Sequence, residues 1–576
     1  MATAKQESKG QRNFLGDYET LLKAVQFDYA CCGRFDASGY SDFIGQLYTM
    51  NPSMFQSAAF CDRTLTQMAL HYLRWFQDPN LRLVVGPGAA WHPGWDAKTQ
   101  RIGDELYVTE VRGESPVSVG ERIVKVNGMT LDKVRPEVER TLCTTVKPED
   151  PEREDWSVVL PFSKHLTILS TEGEERTMKT NTLKDLGSRL DPSDDRKTCE
   201  FESCGDVAVL KLRNMGSADA GQELAEALPA VRTARRLVID ARGAEGGTQE
   251  DIYPLVGLVL GPGDSWTPEQ LFGPRGILLN CSRHNIDAKL GELNSLRAKV
   301  VREAEADQKA RAAQDAKAGR ETGEALAAEG EGAADQAVAV GADAQAEPAS
   351  VEAPQPAASS ETEDQIAAAE PAEASPAALV AEAPAAFEAP DDVDAPAADD
   401  ATAVADACVA ESRSADPEPS YSPEFTEELA EIDAYAEELR GKRGVGFVHE
   451  MVQDEDFYPD LVFTAAQDAP EDRRVVLLVD RWTSDAAEWL VRAARSAGFA
   501  QVAGRATKGS IDTTCPRAVR LDEDFTLIVP TASYLAAHEG MATLGRGIVP
   551  DVHLAWTPEQ IERDVELEQA CELVRG

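Results

Sequence analysis

Apolar residues recur three to four positions apart in Tyr18-Leu21-Leu22-Val25 and again in Leu65-Met68-Ala69-Tyr72-Leu73-Phe76, which predicts helices within residues 14–85. Asp78-Pro79 stops the second. From about 100 to 170 the pattern shortens to β runs: Glu105 to Val108, Arg122 to Val126 and Trp156 to Leu160, with turn signals at Gly113, Gly120 and Asn127-Gly128. An alternating region follows. Strands are predicted at Val207–Leu212 and Arg236–Asp240 around an amphipathic helix over 219–234, a βαβ unit with a right-handed crossover. A further helix from about 249 and a short strand at Gly276–Asn280 complete this part.

The pattern then dissolves. Residues 287–328 read as a long charged helix, and 330–420 hold Ala, Glu, Asp and Pro with a single aromatic, Phe387. Such a segment buries too little apolar surface to offset its ordering entropy, so a disordered linker is expected. A helix at 424–441 leads back to strands at Val475–Asp480, Ala500–Gly504 and Phe525–Val529, with a helix over Ala486–Ala497 and a last one capped at Thr557-Pro558-Glu559-Gln560. The strand-rich pieces flanking the linker are each too small alone, so it interrupts one domain. The expected organisation is a helical domain at 14–85, a β domain at 100–170, a core in two parts at 172–286 and 441–556, an insert at 287–440 and a C-terminal helix at 557–576.

The net charge is −44, from 101 acidic against 57 basic residues, which argues against nucleic acid as a partner. About half of it sits in 321–420, where Arg413 is the one basic residue. No apolar run reaches the length of a membrane span and the N-terminus lacks a signal-like core, so a cytoplasmic location, or a mature chain whose signal has been trimmed, is expected. The ten cysteines show no C-x-x-C spacing and read as reduced thiols. The seven histidines (71, 92, 165, 284, 449, 538 and 553) have no metal-ligand spacing; neither metal nor other cofactor is expected.

Chemistry concentrates in Arg481-Trp482-Thr483-Ser484-Asp485-Ala486-Ala487-Glu488, between a buried-strand run and a helix. A strand that turns sharply into a helix aims several N–H groups at one point, where an oxyanion is stabilised. With Val479-Asp480 this octet resembles the nucleophile segment of the tail-specific, or carboxyl-terminal-processing, serine peptidases, V-D-x-x-[ST]-A-S-A-S-E. Three further segments match that family in order: Asp240-Ala241-Arg242-Gly243-Ala244-Glu245-Gly246-Gly247 (D-L-R-x-N-x-G-G), Gly504-Arg505-Ala506-Thr507-Lys508-Gly509-Ser510 (G-x-x-T-x-G-K-G), and Gly545-Arg546-Gly547-Ile548-Val549-Pro550-Asp551-Val552. Gly120 to Gly128 is similar to a strand and turn of PDZ-like domains. The resemblance implies an α/β fold, α+β overall, with a ClpP-crotonase-like ββα core, an N-terminal helical domain and a PDZ-like β domain.

It also implies a serine nucleophile activated by a lysine whose pKa burial has lowered, and an oxyanion site from Gly246 or Gly247 and Ala486. Aligned without a gap, Asp480, Thr483, Ala486 and Glu488 match, but Asp485 stands at the nucleophile and Ser510 at the lysine. Ser484 and Lys508 lie one and two residues away. Relatives that use a histidine carry it in a D-x-H segment of the helical domain, where this chain has Asp78-Pro79-Asn80. His538-Glu539 is a further candidate base, and Asp485 with Glu488 three residues on also reads as a plain helix cap. Whether the chain is a hydrolase stays open among three readings. One is a degenerate relative that binds extended peptides or unfolded segments. Another is an active endopeptidase using Ser484 and Lys508 in a shifted register. The third is a non-enzymatic scaffold whose acidic insert recruits basic proteins.

Overall fold

Strands from opposite sides of the insert lie side by side. In the computed structural model, which describes residues 12–31, 61–86, 89, 97–111, 115–142, 151–180, 197–332, 421–450 and 461–576, Arg236–Asp240 pairs in parallel with Arg474–Val479, Leu237 opposite Val475 and Ile239 opposite Leu477. These strands are the centre of a six-stranded sheet in the order Val552–His553, Gln501–Gly504, Arg474–Val479, Arg236–Asp240, Val207–Leu212, Cys199–Cys204. All its pairings are parallel except the last.

The central strands are apolar between their charged end residues because both faces are covered. Leu237, Ile239, Val475 and Leu477 face one layer, with Leu224, Leu228 and Val231 of helix Ala220–Arg232 and Leu490 and Val491 of helix Asp485–Ala497. Val238, Val476 and Leu478 face the other, against Ala570, Cys571 and Val574 of helix Val565–Arg575. The architecture is α/β, as expected.

A second, antiparallel sheet runs in the order Arg82–Val85, Phe525–Tyr534, Ile277–Asn280, Phe447–Glu450, with Thr513–Asp522 also on Phe525–Tyr534. Helices Phe14–Lys23 and Asp62–Arg74 share a core with Phe525, Leu527 and Val529 of this sheet. A third sheet, Ala97–Ile102, Glu105–Val111, Arg122–Val126, His165–Leu169 and Glu175–Lys179, closes its own core with helix Leu131–Leu142.

By contacts the chain forms two units, Met1–Arg297 with Glu431–Gly576, and Ala298–Ala430. The boundaries fall inside the expected insert limits of 287 and 440. In the second unit, described residues 298–332 continue helix Arg283–Gly332. Most of the acidic tract, 333–420, lies outside the described residues. Among the described residues no helix is long and apolar enough to cross a membrane, and no group of three or more His, Cys, Asp and Glu could hold a metal ion.

Two sequence expectations fail locally. Trp156–Val158 and Leu160–Phe162 are 3₁₀ turns, not a strand. Asp155 accepts from the Ser157 N–H, the Trp156 indole donates to Glu154, and Pro161 follows, a set that favours a turn. At the C-terminus, Thr557 makes no side-chain cap and Pro558–Ile561 is a 3₁₀ turn; the helix starts at Val565, capped by Asp564. The same four residue types, Thr267-Pro268-Glu269-Gln270, do form a complete capping box. The difference is the glutamine: Gln560 donates to Asp564 and accepts from the Glu566 N–H, so it is not available to Thr557.

The shared sheet predicts that a chain cut at a protease site inserted within 333–420 elutes as one particle under native conditions. Two separately eluting, folded fragments would refute it.

Candidate functional site

The site helix begins where two glycine-bearing segments, at 246–247 and 504–510, meet the end of strand Arg474–Val479. Ser484 stands at its N-cap in extended conformation, and Asp485, the first helical residue, has φ +53°. A left-handed non-glycine residue costs on the order of 1 kcal/mol and marks a sharp, over-determined turn. Two bonds hold it: the Asp485 N–H donates to Ser510 Oγ (2.7 Å), and the Asp485 carboxylate accepts from the Gly246 N–H (2.9 Å). The expected capping role is therefore corrected. The carboxylate turns across to the glycine turn rather than down onto Ala487 or Glu488, because the left-handed backbone swings it out of the helix direction.

Gly246 and Gly247 have φ +78° and +76°. A Cβ on Gly246 would lie 2.9 Å from the Gly216 nitrogen, and one on Gly247 2.8 Å from the Met215 carbonyl oxygen, so no side chain fits at either position. The Ala486 N–H donates to the Gly246 carbonyl (3.2 Å). Of the donors that the resemblance assigns to an oxyanion, Gly246 and Ala486 thus have acceptors from the chain itself.

Glu488, one turn into the helix, is fully buried and gathers the second glycine-bearing segment. Its carboxylate accepts from the Gly509 N–H (2.8 Å), the Ser510 N–H (2.7 Å), Ser510 Oγ (3.0 Å) and the Thr507 hydroxyl. Burial raises its pKa, and these donors oppose the rise. Ser510 therefore bridges Glu488 and the Asp485 backbone. The structure brings Gly246, Gly247, Ser484, Asp485, Ala486, Glu488 and Ser510 together.

Lys508 is apart from this cluster. Its N–H donates to the Thr483 carbonyl (2.9 Å), while its side chain lines a cavity with Arg74, Asp78, Arg82 and Trp482. Among the described residues its ammonium has no hydrogen bond or ion pair with Ser484. Ser484 is itself fully buried and donates its hydroxyl proton to the Asp485 carboxylate (3.0 Å). The Asp78-Pro79-Asn80 segment does reach the site: Asn80 Nδ2 donates to the Ser510 carbonyl (2.7 Å), and Asp78 accepts from Tyr29 (2.8 Å) and Thr513. Burial pushes Asp78 up to about 6. His538 bonds Ser533 (2.8 Å), away from Asp485.

Sequence reasoning missed the supporting charges. Asp480 accepts from the Gly243, Trp482 and Thr483 N–H groups, fixing both turns at once. Asp240 is buried between Arg213 and Arg242, and Arg242 continues to Asp564 and Glu566. Burial alone would raise Asp240, yet the two guanidiniums bring it down to about 2. Its ionised form thus stabilises the fold above the ordinary aspartate range, and the gain disappears as pH falls from about 4 towards 2. Asp240→Asn should accordingly destabilise the chain at pH 7 by about 2–3 kcal/mol and flatten stability against pH in that window, read by denaturant titration. An unchanged acid limb would count against the assignment. Two further arginines tie the third sheet to the site: Arg481 donates to the Thr99, Glu152 and Glu154 carbonyls, and Arg153 to those of Ala506, Thr507 and Lys508.

A strand, a strained turn and a helix thus face a paired-glycine turn at the end of the neighbouring parallel strand. Residues 428–554 match the model of peptidase family S41, a stretch that contains three of the four motif segments. No curated protein matches the sequence. Similar solved structures include mature CPAF (11% identity, 98% of this chain and 96% of that one, TM-score 0.47). Others are the photosystem II D1 C-terminal processing protease (12%, 98% of each chain, 0.35) and the tricorn protease (11%, 98% of this chain and 37% of that one, 0.33).

Proposed function

We propose that this chain is a peptide-binding member of its family that has given up hydrolysis. One observation carries the reading: at the nucleophile position a carboxylate accepts the Gly246 N–H. An anion there fills the place where a tetrahedral oxyanion would form, and repels one. Neither position that the family uses for a base holds one, since Ser510 donates to Glu488 and Asn80 has no basic atom. Binding needs none of this. Strand Phe447–Glu450 pairs on one side only among the described residues, and Phe447 is 42% exposed, which suits addition of an extended peptide.

The test combines an unstructured protein substrate, a serine-reactive fluorophosphonate probe and labelled peptides. Binding without cleavage or labelling is expected, with Ser484→Ala unchanged in each respect. Hydrolysis lost in Ser484→Ala or Lys508→Ala would establish the shifted-register enzyme instead. Peptide binding abolished by removing 333–420, with the core still folded, would favour the scaffold reading.

A further inference from the structure

We infer that the cavity beside Trp482 and Lys508 is a subsite for a peptide carboxylate. It has a volume of about 300 Å³ and is lined by the end of helix Asp62–Arg74, the strand at Arg82, Arg153–Asp155 and the site turn. Five cationic side chains line it, Arg74, Arg82, Arg153, Arg481 and Lys508, against two carboxylates, Asp78 and Asp155. In a chain of net charge −44 such an excess is the reverse of the background.

The positive charge is only partly answered. Arg74 pairs with Asp155 (2.8 Å), and Asp78 is engaged by neutral Tyr29 and Thr513 hydroxyls. Arg481 donates to the Thr99, Glu152 and Glu154 carbonyls, whose dipoles solvate a guanidinium without neutralising it. Arg481 is buried, and its Nε has no acceptor. Lys508 and Arg82 reach the cavity without an ion pair among the described residues. A buried cation at a cavity wall with two further cations lining the same cavity favours an anion there. Leu70, Leu73, Leu81 and Leu83 supply apolar wall for the carbon stem that carries it.

The subsite rests on the peptide-binding reading for its ligand and narrows the ligand to acidic peptides. It also gives Lys508 a role, contacting ligand instead of taking a proton. The carboxylate is either an acidic side chain or a peptide C-terminus. Labelled decapeptides distinguish the two: one with an internal Glu and an amidated end, one with Gln there and a free end, and one with Gln and an amidated end. At least one carboxylate peptide should bind the full-length protein ten-fold or more tightly than the neutral peptide. Lys508→Glu and, independently, Arg82→Glu should each remove most of that preference while leaving neutral-peptide affinity within two-fold. Glutarate, added without peptide, should change the difference in emission between the wild type and Trp482→Phe. Equal affinities, or a preference that survives both substitutions, would refute the subsite. A glutarate response with no peptide bound would support the subsite and refute the peptide-binding function.

Discussion

Changing Asp485→Ser together with Ser510→Lys is expected to create peptide hydrolysis that neither substitution creates alone. Asp485→Ser removes the carboxylate from the Gly246 N–H and releases one oxyanion donor, but leaves a hydroxyl with no base. Ser510→Lys supplies an amine at a position whose Oγ now lies 2.7 Å from the Asp485 nitrogen, within reach of a side chain at 485. That amine would sit beside Glu488 in an enclosed setting, where loss of hydration pulls a lysine pKa towards neutrality and the neighbouring carboxylate pulls it the other way. The Gly246 carbonyl must also leave the Ala486 N–H, so the gain should be partial: turnover about 10²-fold or more above either single variant, a general-base-sized effect. Fluorogenic peptide assays and fluorophosphonate labelling at residue 485 would read it. A double variant that folds, binds peptide and stays inert would show that more than two residues separate this chain from catalysis.

Glu488 should dominate the stability of the site. Its carboxylate answers two backbone N–H groups and two hydroxyls in full burial, so Glu488→Ala strands at least the Gly509 and Ser510 N–H groups. The expected loss is roughly 3–5 kcal/mol, and Glu488→Gln, which keeps one acceptor oxygen, should lose about half as much. Denaturant titration measures both. Ser510→Ala, which removes one hydroxyl and leaves the N–H groups paired, should cost no more than about 1–2 kcal/mol. If Glu488→Ala is as mild as Ser510→Ala, the carboxylate is not the organising group described above.

The strand–helix boundaries were legible because apolar periodicity records burial on one or two faces. Val207–Leu212 and Arg236–Asp240 coincide with their expected limits for that reason. The meeting of the octet with Gly246 and Ser510 was legible through motif order. What stayed hidden depends on partners distant in sequence. Thr513–Asp522 alternates polar and half-buried residues and needs Phe525–Tyr534 to become a strand. Thr557 loses its cap to an aspartate four residues beyond the glutamine it shares with the motif. The side-chain direction of Asp485 follows from its positive φ, which only the surrounding turns impose. Arg481, read as part of a motif, proves to be a buried strut to Thr99.

The pairing of Arg236–Asp240 with Arg474–Val479 has a consequence for biosynthesis. The first of these strands leaves the ribosome while its neighbour is more than two hundred codons away. At ordinary translation rates of about 5–20 residues per second the wait is on the order of 10–50 s. Throughout it an apolar strand, fully buried at Leu237, Val238 and Ile239 in the finished protein, has one bare edge, the geometry that invites pairing between nascent chains. The stretch made during that interval carries much of the net negative charge. Neighbouring chains on one polysome would then repel each other during the seconds in which their edges are open.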